Sequence, residues 1–309
     1  MYIGIDIGGT TIKYGLVADT GLVSNKHKIA TPTKKIDLYT VLKGIVSELS
    51  QQGVVKGVGV SAPGIIQKDG FMTTGGAITY LYGVNLKEEL EHLLNLPVRV
   101  ENDANAAAIA EKWIGNAQDA SNYLCLVLGT GVGGGIIIND QVYRGGHGMA
   151  GEFGYMLTQT LDWEREIEDF SLNRTASVIT GLCQRYNKEI LSNGQANLAG
   201  DDASYIISLA LSGDTIANKV LNDYTEAVSV GLLNLIGAFD PEIILIGGGI
   251  SANTDFFEKL VQTFDQLLRA HDSLNYLKNK TVGQLKPTKL RNDAGLIGAV
   301  YQLHLDLLK

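Results

Sequence analysis

Three glycine-rich turns each follow an apolar run: Asp6-Ile7-Gly8-Gly9-Thr10-Thr11, Gly129-Thr130-Gly131-Val132-Gly133-Gly134-Gly135, and Gly247-Gly248-Gly249-Ile250-Ser251. Glycine lets the backbone approach an anion closely, with N–H groups aimed at its oxygens, and threonine hydroxyls add donors. Turns of this kind are suited to holding phosphate. One glycine turn carries little weight, since hairpins use glycine for shape alone. Three of them, two at equivalent places in a repeated pattern, point to a nucleotide. None is a Walker loop, because G-x-x-x-x-G-K-[ST] is absent, and none leads into the helix and acidic residue of a dinucleotide fingerprint.

Two carboxylates stand where such a site would use them. Asp6 carries the only charge in the first apolar run. Beside a phosphate turn a carboxylate is costly unless it meets a cation, which places Asp6 near Mg²⁺, directly or through water; as ordinary structure it caps its own turn. Asp103, in Glu101-Asn102-Asp103-Ala104-Asn105-Ala106, sits where a strand becomes a helix. As ordinary structure it is an N-cap. As chemistry it is a general base: the helix N-terminus favours its charged form, and phosphoryl transfer to a hydroxyl asks mainly for positioning.

The elements that position these groups follow from periodicity. Residues 2–7, 12–17 and about 22–31 read as an antiparallel meander of three strands. Residues 37–51 have helical spacing, 56–62 are a buried strand ended by Pro63-Gly64, and 85–94 form an amphipathic helix with Asn85 as cap. A strand at 98–102 leads into an alanine-rich helix at 103–114. The order then restarts: 123–138 can be laid over 2–17, with Tyr123 on Tyr2, Gly129 on Gly8 and Val127 on Asp6. The second copy takes a long helical insertion, roughly 165–238, before the strand and glycine turn at 241–251 and a last helix at 294–308. Such a duplication predicts an α/β protein of two similar lobes with a cleft between them. The expected lobes are 1–117, with the last helix, 294–309, packing back on it, and 118–293, joined directly near 115–120.

Composition narrows the partners. The chain has 309 residues, 45% apolar and 19% charged, which suits a folded globular protein of two lobes. Its net charge of −8 supplies no basic field for nucleic acid. No apolar stretch is long enough to span a membrane, and the apolar start is strand, not a leader, so a cytoplasmic protein is expected. Cys125 and Cys183 read as core thiols of a reducing compartment.

The motifs DIGGTTIK at 6–13, SAPG at 61–64, ENDANAAAIAE at 101–111, LGTGVGGGI at 128–136, GGHGMAGEFG at 145–154 and LIGGGIS at 245–251 resemble the ROK family of repressors, open-reading-frame products and sugar kinases. The resemblance runs from residue 3 to about 300. It implies two duplicated lobes of the actin-like, ribonuclease H-like ATPase fold and an ATP- and Mg²⁺-dependent carbohydrate kinase, with glucose or a β-glucoside such as cellobiose phosphorylated at position 6. It implies nucleotide contacts from Asp6, Gly8, Gly9, Thr10, Thr11 and Lys13, and from Gly129, Thr130, Gly131 and Gly133, with Gly247, Gly248 and Gly249 near the adenosine. It implies Asp103 as base, and sugar contacts from Gly64, Asn102, Asp103 and Glu152. A homodimer is implied as well. His147 is assigned no chemistry.

The pattern breaks after Glu152. Many family members continue AGE-x-GH with C-x-C-G-x-x-G-C-x-E, where the His and three Cys bind structural zinc and the His and last Glu reach the sugar. Here Tyr155 stands in the His position, no cysteine lies between 156 and 182, and Asn173 stands where the Glu would be. No structural zinc is therefore expected, and Tyr155 and Asn173 are expected to border a modified sugar site. Tyr80 and Tyr82 are candidates for the same pocket. Three alternatives remain: an N-acetylmannosamine kinase, a sugar-responsive repressor, and a catalytically idle sugar-binding regulator. Against the repressor, the first phosphate turn begins at Asp6, leaving no room before it for a DNA-binding segment.

Overall fold

The apolar runs at the amino terminus pair as their pattern requires in the computed structural model, which describes residues 1–278 and 280–308. β1 (Tyr2–Ile7), β2 (Thr11–Val17) and β3 (Val23–Ala30) form an antiparallel meander, with Asp6 opposite Lys13. β1 is buried on both faces, so it reads as a continuous apolar run rather than an alternating one. β3 is exposed along most of its length, and its lysines suit an edge strand.

After helix α1 (Lys35–Ser50), strand β4 (Val58–Ala62) joins β1 in parallel. A small hairpin of β5 (Phe71–Met72) and β6 (Val84–Asn85) follows, then helix α2 (Leu86–Leu94) and strand β7 (Val98–Asn102), parallel to β4. Asn85 caps α2 as expected, its Oδ1 accepting from the Glu88 N–H at 3.1 Å. The hairpin was not foreseen, because two residues per strand carry no periodicity. The sheet order is β3-β2-β1-β4-β7. Helix α3 (Asp103–Ile114) starts directly at the end of β7.

The second half repeats this order. β8 (Tyr123–Leu128), β9 (Val132–Ile138) and β10 (Gln141–Val142) take the places of β1, β2 and β3. The expected helical insertion is cut into α4 (Leu172–Ala176), a wide helical turn at Val178–Gln184, α5 (Arg185–Ser192), α6 (Ala203–Leu211) and α7 (Thr215–Phe239). The cuts fall at side-chain caps: Ser171, Ser177, Asp202 and Asp214 each accept from the backbone N–H three residues on. Strand β11 (Ile243–Gly247) is parallel to β8; helices α8 (Thr254–Ala270) and α9 (Asp272–Leu277) lead to β12 (Gln284–Pro287), parallel to β11. The order is β10-β9-β8-β11-β12.

Contacts divide the chain into two compact units. The first comprises Met1–Ser121, Gly135–Gly151 and the chain from Lys289 onward; the second comprises Asn122–Gly134 and Glu152–Thr288. The return of the C-terminus to the first unit has a specific anchor. Glu111 on α3 is fully buried, and its Oε1 accepts the N–H groups of Lys289 and Leu290, each at 2.8 Å. The last helix, α10 (Ala294–Leu307), then lies so close to α3 that a Cβ on Gly298 would stand 1.8 Å from the Ala106 carbonyl oxygen. Among the described residues no helix is long and apolar enough to cross a membrane.

Candidate active site

The first unit holds Asp6, the first glycine turn, and Asn102 with Asp103. The Ser61 hydroxyl donates to Asp6 Oδ1 at 2.9 Å, and Lys13 Nζ stands 3.8 Å from Oδ2. Burial raises the Asp6 carboxyl above its ordinary range, and Ser61 and Lys13 pull it part of the way back. Gly8–Thr10 is a three-residue connection between β1 and β2. The Gly8 N–H donates to the Thr11 carbonyl at 3.0 Å, and the Thr31 hydroxyl donates to the Gly8 carbonyl at 2.6 Å. Gly9 and Thr10 lie exposed at the tip, where N–H groups can meet an anion. Thr11 and Lys13 belong to β2 itself.

Asn102, not Asp103, caps α3. Its Oδ1 accepts from the N–H groups of Ala104 and Asn105 at 2.9 and 3.0 Å. Its Nδ2 donates to the Gly64 carbonyl at 2.9 Å and to Asp103 Oδ1 at 3.1 Å. All four hydrogen-bonding positions of the amide are thereby used. Asp103 is the first helical residue; its Oδ1 also accepts from the Ala104 N–H at 2.8 Å, and the residue is exposed. The carboxylate is thus oriented by two donors at a helix N-terminus.

Sequence reasoning missed what lies beneath. Glu101 is 1% exposed, and its carboxylate accepts from Arg144, from Asn105 Nδ2 at 3.2 Å and from the Asn102 N–H at 3.2 Å. The sequence signal was weak, since Glu101 lies in Val-Arg-Val-Glu-Asn, a strand with two other polar residues. Tyr80, expected near the sugar, instead packs on the core of this unit and donates its hydroxyl to the Pro32 carbonyl at 2.6 Å. Tyr82 is exposed, with its hydroxyl donating to the Gly76 carbonyl at 3.0 Å, and His147 is exposed too.

The second unit holds the other two turns and Glu152, Tyr155 and Asn173. Gly129–Gly131 connects β8 to β9 as Gly8–Thr10 connects β1 to β2; the Gly129 N–H donates to the Gly131 carbonyl at 2.9 Å. Gly133 falls inside β9. Asn173 Oδ1 accepts from the Val132 N–H at 2.9 Å. Tyr155 is 61% exposed.

In the third turn, Gly248 has φ +89°, and a Cβ there would lie 1.8 Å from the Leu128 carbonyl oxygen. Close packing on the end of β8 therefore explains this glycine by itself, whereas Gly249 borders open space. Gly248→Ala is expected to destabilise the protein by about 2–3 kcal/mol, from overlap and an unfavourable left-handed backbone together. Urea unfolding measures this, and a change under about 0.5 kcal/mol would contradict it.

Glu152 is half-buried, its carboxylate has no hydrogen-bond partner among the described residues, and burial raises that carboxyl above the ordinary range. An acid of raised pKa holds its proton more readily when folded. Its contribution to stability is complete below the ordinary glutamate pKa of about 4.3 and is lost as pH rises through the raised value. Glu152→Gln removes that loss. Thermal melts from about pH 4 to about pH 7 are expected to show the variant gaining on the wild type as pH rises; a gap independent of pH would count against this account.

Among the described residues, no three His, Cys, Asp or Glu side chains are grouped to hold a metal. For Mg²⁺ carried by a nucleotide the residues fit. One carboxylate suffices beside phosphates and water, and Asp6 offers Oδ2, which no hydroxyl or amide among the described residues occupies.

The sequence pattern of the ROK family matches residues 2–305. The chain belongs to the ROK family. Its two sheets of matching order are the actin-like, ribonuclease H-like ATPase fold. Among ROK relatives, the beta-glucoside kinase of Listeria innocua is 36% identical over 300 residues, covering 96% of this chain and 95% of the relative. A ROK family glucokinase from Streptomyces griseus, solved with glucose and AMPPNP, superposes with a TM-score of 0.79 at 28% identity, covering 97% of this chain and 98% of that one. A ROK family protein from Streptococcus pneumoniae, solved with sucrose, superposes with a TM-score of 0.86 at 28% identity, covering 99% of each chain.

Proposed function

We propose that this ROK protein is an ATP-dependent sugar kinase that phosphorylates the 6-hydroxyl of a glucose unit and accepts β-glucosides such as cellobiose. The observation that carries the reading is the Asp103 carboxylate, held by Asn102 Nδ2 and the Ala104 N–H at a helix start, in a chain that also presents two equivalent glycine turns. Asp103 accepts the proton of the sugar hydroxyl as its oxygen bonds to the γ-phosphorus. The bond to the bridging oxygen breaks, and ADP leaves with that electron pair. Little basicity is required, because the transition state is loose and alignment dominates. The N–H groups of the turns at 8–11 and 129–131 hold the phosphates. Mg²⁺, bound to the nucleotide and facing Asp6, would neutralise charge on the phosphates. Gly64 and Glu152 contact the sugar, and Asn102 fixes the direction of the base.

The glucoside preference rests on what replaces the family's His and Glu. That Glu is charged and would select a free anomeric hydroxyl, since hydrogen bonds to charged groups contribute about 1.5–3 kcal/mol. Here Tyr155 is exposed, and the Asn173 acceptor is engaged by the backbone. An aglycone or second ring therefore displaces no charged contact. The name of the Listeria relative and the sucrose bound to the Streptococcus relative support a site that admits more than a monosaccharide. Coupled ATP assays should give kcat/KM for cellobiose at least equal to that for glucose or N-acetylmannosamine. A value for cellobiose more than about a hundredfold lower, about 2.7 kcal/mol of transition-state binding, would reject the glucoside reading.

A further inference from the structure

One short stretch of chain holds the Gly129–Val132 turn at both ends. At the start of the turn, the Val178 N–H donates to the Gly129 carbonyl at 2.8 Å. At its end, Asn173 Oδ1 accepts from the Val132 N–H at 2.9 Å. The stretch is itself braced: the Thr180 hydroxyl donates to the Asn173 carbonyl at 3.2 Å, and Ser177 Oγ accepts from the Thr180 N–H at 3.2 Å. Between the anchors, Thr130 and Gly131 are exposed, while Val132 is buried. A Cβ on Gly131 would stand 2.9 Å from Asn173 Oδ1, so the amide lies against the turn itself. A Cβ on Gly154 would lie 3.1 Å from Asn173 Cβ, which sets the same residue beside the segment carrying Glu152 and Tyr155.

We infer that Asn173 is a positioning residue for the triphosphate-holding turn, clamping it jointly with Val178, and that it is not a sugar contact. This rests on the reading of Gly129–Gly131 as a phosphate turn. Glycine turns lose much conformational freedom on ordering, and a turn ordered before the ligand arrives binds it more tightly. The clamp supplies that order from outside the turn. Without the Asn173 oxygen, the buried Val132 N–H loses its acceptor and the end of the turn is released.

The effect should therefore follow the phosphates. By isothermal titration, Asn173→Ala is expected to bind a non-hydrolysable ATP analogue with Mg²⁺ about tenfold more weakly, while adenosine and cellobiose bind within about twofold of wild type. Val178→Pro tests the other anchor. Ser177 already has the extended backbone a proline requires of the residue before it, and proline is tolerated at a first helical position, but the ring takes the place of the N–H that meets the Gly129 carbonyl, so the start of the turn must move away from its anchor. It should give the same triphosphate-selective loss, and it carries the test alone where Asn173→Ala does not fold. Variants that bind the analogue like wild type, or lose cellobiose or adenosine as strongly as the analogue, overturn the inference. Wild-type protein that binds no analogue at all overturns the kinase reading instead, and this inference with it.

Discussion

Asp103→Asn is expected to lower kcat by about 10²–10⁴-fold, the range a positioned general base contributes. The substitution is close to a pure removal of charge. The asparagine Oδ1 can still accept from the Ala104 N–H and from Asn102 Nδ2, which now hold the aspartate at 2.8 and 3.1 Å. Only the ability to take a proton is lost. Stability should change by less than about 1 kcal/mol, the size of one charge at an exposed helix N-terminus. Sugar binding, measured by titration without nucleotide, should stay within a few fold. The assay is a coupled ATP measurement beside a thermal melt. A folded variant that keeps near-normal turnover would remove Asp103 from the role of base.

Much of this was legible because it is local. The glycine turns sit next to their strands in sequence, and the matching runs at 2–17 and 123–138 carried the duplication. The exchange of cap between Asn102 and Asp103 was not legible. Both residue types cap helices well, and helix boundaries read from sequence are uncertain by a residue or two. The tie of Asn173 to Val132 spans a separation that no periodicity reports. Tyr80 shows the same limit from the other side: an aromatic residue in a loop suits a sugar pocket or a core, and packing decided for the core. Gly248 was read for nucleotide binding because of its neighbours in sequence, although its close approach to Leu128 already demands glycine.

The largest stability effect should come from the pair that sequence reasoning passed over. Arg144→Met is expected to cost the fold about 3–5 kcal/mol, the usual penalty for stripping one partner from a buried ion pair. Glu101 is 1% exposed, so its charge cannot turn to water once Arg144 is gone. The donors that remain to it, Asn105 Nδ2 and the Asn102 N–H, both at 3.2 Å, are neutral and long. The damage should reach catalysis, since Glu101 directly precedes Asn102 and Asp103 and grips the backbone that carries them. Glu101→Gln with Arg144→Met removes both charges and keeps an acceptor for those two donors. A buried pair replaced by neutral groups is often tolerated, so the double variant should recover much of the lost stability. Urea unfolding of the two single variants and the double variant closes the cycle, and the coupling between sites in contact should exceed about 1 kcal/mol. If Arg144→Met instead unfolded like wild type, the pair would hold nothing in place, and the position of the base would have to be fixed by Asn102 and the helix start alone.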